Sequence, residues 1–135
     1  MQPLAIRIRA TRKRFVAESE SEVQSALTVA EQEADRAGIM GLVDFEAANG
    51  NTLTLLVGGA DSALSWRYAG DREPRFVSQG EADAEGSVTC SRDPGTQIQV
   101  PCTSLIGRGD ALAALNEFAA SNEIPEGVMW VDYPG

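Results

Sequence analysis

The stretch Asn51 to Gln79, NTLTLLVGGADSALSWRYAGDREPRFVSQ, constrains this chain most, because its apolar residues recur at a spacing of two, which suits strands rather than a helix. Leu53, Leu55 and Val57 alternate with Thr52, Thr54 and Leu56. Beyond the Gly58-Gly59-Ala60-Asp61 turn, Leu64, Trp66 and Tyr68 alternate with Ala63, Ser65 and Arg67. One face of this meander is therefore expected to be apolar. Gly70-Asp71 supplies the turn before a third strand, Arg75 to Gln79, in which Phe76 and Val77 carry the hydrophobic weight. Trp66 and Tyr68 lie in phase with Leu64 and read as core; the alternative is a platform that stacks on a base or a sugar.

The flanking segments complete the pattern. Leu4 to Arg9 and Arg14 to Ala17 are strand-like, and the basic opening segment, residues 1–14, is expected at a sheet edge. Ser19 to Ala37 is the clearest helix: Ser19 or Ser21 caps it, Glu20 and Glu22 suit its positive end, and Gly38 stands at the left-handed C-terminal position. Val23, Ala26, Leu27, Ala30, Ala34 and Ala37 form its apolar stripe, with Glu31, Glu33 and Asp35 toward water. Leu42 to Glu46 is a strand, and Ala48-Asn49-Gly50-Asn51 is a hairpin turn with the Asn-Gly signal for type I′. Gly80 to Gly86 is an acidic, glycine-bounded loop without an apolar anchor. Ser87 to Ser91 and Thr96 to Val100 form a strand pair, and Pro101 stops the second strand. A helix from Arg108 to Ser121 buries Ala111, Leu112, Leu115, Phe118 and Ala119, and Val128 to Tyr133 is a last strand. The order implies an α+β fold in one domain, residues 1–135, with a mostly antiparallel sheet and two main helices packed on one face.

Charge narrows the partners. Twenty acids against eleven bases give −9, and five of the bases, Arg7, Arg9, Arg12, Lys13 and Arg14, fall in the first fourteen residues, where there is no acid. From Phe15 onward six bases face twenty acids. Such a surface repels phosphate backbones and attracts basic partners, so direct nucleic-acid binding is disfavoured; the bland alternative is acidity for solubility alone. No run of eighteen apolar residues is present and no membrane partner is expected. The N-terminus lacks the apolar core of a secretory signal, and a cytoplasmic protein is expected.

Catalytic chemistry is hard to assemble. There is no histidine, which removes the commonest general base, zinc ligand and partner of a nucleophilic serine or cysteine. The single lysine is Lys13, and Gly58-Gly59 leads into a strand, so no phosphate-binding loop is formed. Cys90 and Cys102 are too few for a zinc site and are expected as free, half-buried thiols rather than a disulfide. The densest carboxylate cluster, Glu81, Asp83 and Glu85, lies on the glycine-bounded loop, where burial cannot raise a pKa. No cofactor and no enzymatic activity are expected.

Three pieces in fixed order carry a resemblance. Leu53 to Gly59 followed by Ala63-Leu64-Ser65-Trp66, then Ile98-Gln99-Val100-Pro101 with the helix Ala111 to Phe118, then Ile124-Pro125 and Val128-Met129-Trp130, resemble the bacterial immunity-protein family one of polymorphic toxin systems. The resemblance spans about residues 40 to 132 and leaves the arginine-rich opening outside it. It implies a protein that binds a cognate toxin, a nucleic-acid deaminase or a related enzyme, and occludes its active site or substrate groove without chemistry of its own. Such grooves are basic, which an acidic inhibitor suits. The contact residues expected on this reading are Asp61, Asp71, Glu73, Glu81, Asp83 and Glu85, with Glu31, Glu33 and Asp35 on the first helix as a competing surface. The protein itself is expected as a monomer or weak homodimer. The reading from another class is a small acidic regulatory module unrelated to toxins.

Overall fold

A computed structural model describes residues 1–134. The period-two segment becomes the middle of its sheet. Strands β3 (Met40–Ala47), β4 (Thr52–Val57), β6 (Leu64–Arg67) and β7 (Phe76–Ser78) are antiparallel neighbours in that order, with β5 (Asp61–Ser62) as a short excursion between β4 and β6. Beyond β7, β11 (Trp130–Asp132) forms one edge; beyond β3 come β1 (Leu4–Ile8) and then β2 (Lys13–Ala17) at the other. A hairpin of β8 (Ser87–Asp93) and β9 (Thr96–Pro101) joins β3 by a short parallel pairing, Met40 with Cys90 and Gly41 with Ser91. After a 3-10 turn at Cys102–Ser104, β10 (Ile106–Gly107) pairs with β5. With helices α1 (Glu20–Ala37) and α2 (Arg108–Ser121), this is the expected α+β fold on a mostly antiparallel sheet.

Register sorts the side chains. Ile6, Val43, Phe45, Leu53, Leu55 and Trp66 project to one face, where they share a core with Val23, Ala26, Leu27 and Ala30 of α1 and Leu115 and Phe118 of α2. Both helices therefore pack on that face. The alanines of α1 let its axis lie close to the strands. Its start is fixed by Ser19, whose Oγ accepts from the Glu22 N–H at 3.2 Å, and its end by Gly38 at φ 69°. Trp66 is the hub of the aromatic core, edge-on to Phe118 at 5.4 Å and to Tyr68 at 5.6 Å. Such pairs contribute roughly 1 kcal/mol each beyond simple burial. The core reading of Trp66 is the correct one, since the ring is fully buried.

On the opposite face a smaller core of Leu56, Ala63 and Cys90, flanked by Met40, Leu42 and Ile98, lies beneath the β8–β9 hairpin. The rest of that face has no helix over it.

Several local expectations are corrected. The basic opening segment divides between an inner and an edge strand: β1 is paired on both sides, and only Lys13 and Arg14 belong to the edge strand β2. Its arginines are compatible with an inner strand because Arg7 and Arg9 point away from the helices and meet the carboxylates of Asp44 and Asp93. Arg12, at φ 60°, lies in the turn that leads back into β2. The β3–β4 hairpin is not type I′, which needs positive φ at both central residues; here only Gly50 has it, at 90°. Gly50 N–H donates to Ala47 and Ala47 N–H to Asn51, giving a three-residue loop of type I followed by a left-handed glycine. In α2, Ala114 is buried and Leu112 half-buried, and Ala37 at the end of α1 is exposed. Cys90 and Cys102 are both thiols, but Cys90 is fully rather than half buried, and burial pushes its pKa up.

Candidate functional site

The acidic loop follows directly from β7. Ser78 is wholly buried; its Oγ donates to the Ser104 carbonyl at 2.8 Å and accepts from the Leu64 N–H at 2.9 Å. One residue on, Gln79 N–H donates to Met129, and Gly80 N–H donates to Thr103 at 2.7 Å. Gly80 sits so close to the neighbouring chain that an added Cβ would lie 1.8 Å from the Leu105 carbonyl oxygen. Glu81, Asp83 and Glu85 then stand exposed, and the far foot of the loop is closed by Cys102 N–H on the Gly86 carbonyl at 3.0 Å. Both feet are tied to one segment, Cys102–Leu105. The loop has no apolar anchor, as expected, but it is held at both feet through its backbone, by contacts that hydropathy does not register.

The other expected acids divide between the two ends of the β4–β6 ladder. Asp61 is exposed on β5, opposite Gly107 of β10, so it shares the end that carries Glu81, Asp83 and Glu85. Asp71 and Glu73 leave the sheet at the other end, where Thr52 pairs with Arg67. Asp71 is occupied internally: its carboxylate accepts from the Tyr68 N–H at 3.1 Å and pairs with Arg75 at 2.9 Å. Glu73 is exposed between Arg72 and Arg75, so this loop is locally balanced in charge. The concentration of acid lies in the β7–β8 loop.

On the outer face of α1, Glu31 takes a two-pronged contact from Arg108, Nε to Oε2 at 2.9 Å and Nη2 to Oε1 at 2.8 Å, which raises the Arg108 pKa. Glu33 is held by Lys13 and by Thr11 Oγ1 at 2.8 Å. Burial pushes the Glu33 carboxyl up, but those two hydrogen bonds and the charges of Lys13 and Arg36 outweigh it, and the net shift is downward. Only Asp35 of this trio is exposed. Most of the acid on the competing surface is therefore neutralised within the chain.

The face away from the helices carries two further features. Beside the buried Asp44, a wide-mouthed depression of about 570 Å³ is lined by Arg7, Arg14, Val16, Glu46, Thr52 and Arg67, a mixture of both charges. At the opposite edge, Met129, Val131 and Tyr133 alternate with Trp130 and Asp132 and are 70%, 38% and 39% exposed. This is the last strand expected over Val128 to Tyr133. The period-two spacing of Met129, Val131 and Tyr133 was the signal for a second apolar face, but only the pairing with β7 shows that no helix covers it.

These features define a small acidic α+β protein that carries a clamped, carboxylate-bearing loop beside an exposed sheet edge. The family model described as Immunity protein Imm1 matches residues 11–132, and the chain belongs to that family: it is an immunity protein with a cognate toxin as partner. No curated protein matches it. Among the described residues no helix is long and apolar enough to cross a membrane, and no group of three or more potential metal-binding side chains occurs.

Proposed function

We propose that this protein neutralises its toxin by binding alone, without turnover or cofactor, occluding an active site or substrate groove that is basic, and that the toxin is a nucleic-acid deaminase acting in the cytoplasm. The observation that carries the reading is the β7–β8 loop: Glu81, Asp83 and Glu85, all exposed, on a segment whose two ends are fixed by Gly80 and Gly86. A groove built for a phosphate backbone needs positive charge, and three carboxylates held on a clamped loop meet it with little ordering cost. Asp61 adds to this end of the surface and Glu73 to the opposite end. Asp71 serves instead as a brace for its own loop, and the paired Glu31 and Glu33 rank α1 below the loop as a contact. Long-range attraction between the acidic chain and a basic groove speeds association.

The experiment is co-expression of this chain with the product of the neighbouring upstream gene, scored for a stable complex and for survival of the host cell. Protection by the wild type is expected to weaken with Glu81, Asp83 and Glu85 replaced by Ala, with affinity for the purified toxin down at least about tenfold, mainly through the association rate. Deamination of DNA or RNA by the free toxin, abolished on complex formation, is the outcome expected of the deaminase assignment. A toxin that instead cleaves its substrate would keep the occlusion reading and replace the enzyme class.

A further inference from the structure

The β7–β11 ladder is bracketed by two backbone hydrogen bonds, Gln79 N–H to the Met129 carbonyl at 2.8 Å and Tyr133 N–H to the Arg75 carbonyl at 3.0 Å. Between them Trp130, Val131 and Asp132 pair with Ser78, Val77 and Phe76. Alternation then decides what each side of β11 presents. Trp130 turns toward the helices, packs against the main core and donates its Nε1–H to the Pro125 carbonyl at 2.9 Å. Met129, Val131 and Tyr133 turn the other way, beside the half-buried Val77, onto the face that no helix covers. Among the described residues they account for three of the five large apolar side chains that are exposed, the others being Met1 and Val16. Scattered exposed apolar residues need no explanation, but Val131 on the edge strand with Met129 and Tyr133 flanking it at the same spacing form a patch.

The residue at the start of the acidic loop is the one bonded to Met129. The patch and the carboxylates of Glu81, Asp83 and Glu85 are therefore neighbours through the Gln79–Met129 hydrogen bond, with the acid at one end of the apolar stripe. An apolar centre with a charged margin is the arrangement of a protein-binding surface: the margin steers and orients, the centre supplies the affinity. Methionine adapts to irregular partner surfaces, and tyrosine is among the residues that dominate binding energy.

We infer that Met129, Val131 and Tyr133 form the apolar centre of the toxin interface, seated against an apolar ledge at the rim of the toxin's basic groove while the β7–β8 carboxylates enter the groove itself. The inference rests on the immunity reading and adds to it the part of the surface that holds the complex together. The occupant is a basic partner because the charged margin of the patch is acid. Three residues are too short a strand to hold a partner by edge pairing, so docking runs through side chains on the face of the sheet.

The test measures association and dissociation of the purified upstream-encoded toxin with four forms of this chain: wild type, a triple Met129→Ala, Val131→Ala, Tyr133→Ala variant, Val131→Asp, and Val16→Ala as a control. Val16 is 64% exposed on the opposite edge strand. All the replaced side chains are at least partly exposed, so an unchanged thermal midpoint verifies that each variant is folded. The triple variant is expected to dissociate about 100-fold faster, and Val131→Asp at least about tenfold faster, with association rates within about threefold of wild type. Val16→Ala is expected to behave as wild type. A wild-type complex that the triple variant forms and holds equally well overturns this inference and leaves the immunity reading intact. A wild-type dimer that the triple variant splits, with toxin binding unchanged, overturns it in favour of a second copy of the chain. Failure of the wild type itself to bind a folded, active toxin removes the immunity reading and this inference together.

Discussion

Arg7 grips Asp44 across the β1–β3 ladder, with Nε 3.2 Å and Nη2 2.8 Å from the same carboxylate oxygen. Asp44 is almost completely buried, its other oxygen accepts from Thr54 Oγ1 at 2.7 Å, and Arg9 stands 3.8 Å away. The basic opening segment is thus part of the sheet's architecture, supplying the positive charge that allows a carboxylate on an inner strand.

Removal of that charge is expected to be costly. Arg7→Ala leaves a buried carboxylate with only Thr54 and a more distant arginine, and, since the Arg7 side chain is itself 42% exposed, the unfolding free energy is expected to fall by about 2 kcal/mol. Arg7→Lys keeps the charge but not the planar two-pronged donor and is expected to lose about half as much. Urea denaturation of the two variants checks both values, and an Arg7→Ala loss under about 1 kcal/mol would show that Arg9 and Thr54 suffice for Asp44.

Gly80 offers a second test, because what it meets is backbone. Its φ is unexceptional, so the constraint is space alone: an added methyl falls 1.8 Å from the Leu105 oxygen and 2.8 Å from its carbonyl carbon. Gly80→Ala must separate the loop from the Cys102–Leu105 segment, breaking the Gly80–Thr103 hydrogen bond. The expected cost is about 2 kcal/mol or more in stability, together with loss of toxin affinity even though every acid remains in the chain. Gly86→Ala meets no neighbour within 4 Å, though at φ 81° it carries a conformational cost. Its effect is expected to be confined to stability.

The sequence was most informative where physics is local. The spacing of Leu53, Leu55, Leu64 and Trp66 specified strands and their buried face, and Ser19 and Gly38 bounded α1, because alternation and capping act within a few residues. Strand neighbours separated by tens of residues were not legible. That β1 enters between β2 and β3, or that β11 lies beside β7, is decided by which faces pack on helices far along the chain. The candidate site divides the same way. Glu81, Asp83 and Glu85 were visible as a charge cluster, whereas the anchoring of Gly80 and the withdrawal of Asp71, Glu31 and Glu33 into ion pairs depend on tertiary partners.

Acid should weaken the fold through two of these pairs. Asp93 is pushed up by burial, but hydrogen bonds and charge from Arg9 and then Arg92 outweigh this and lower its pKa; Glu33 is likewise lowered. A carboxyl whose folded pKa lies below its unfolded value, about 3.9 for Asp and 4.3 for Glu, contributes stability that is present above the unfolded value and lost as pH falls through the folded one. The thermal midpoint is therefore expected to decline below about pH 4. The double variant Glu33→Gln, Asp93→Asn is expected to melt lower than wild type at neutral pH, to lose less on acidification, and to converge with wild type at the lowest pH. Parallel curves for the two proteins would assign the acid sensitivity to other carboxylates.

Salt separates the two acidic surfaces. Between about 50 and 500 mM salt the screening length contracts from more than 10 Å to a few Å, so an association rate raised by attraction between unlike charges should fall steeply over that range. Glu31–Arg108 and Glu33–Lys13 are local pairs whose fields largely cancel at a distance, whereas Glu81, Asp83 and Glu85 have no ion-pair partner among the described residues. Neutralising all three loop acids is expected to flatten most of the salt dependence. Removing a helix pair together, as Glu33→Gln with Lys13→Gln, is expected to leave it within about a factor of two of wild type. Association rates across the salt series decide between the surfaces, and a slope that the helix variant flattens and the loop variant keeps would move the interface to α1.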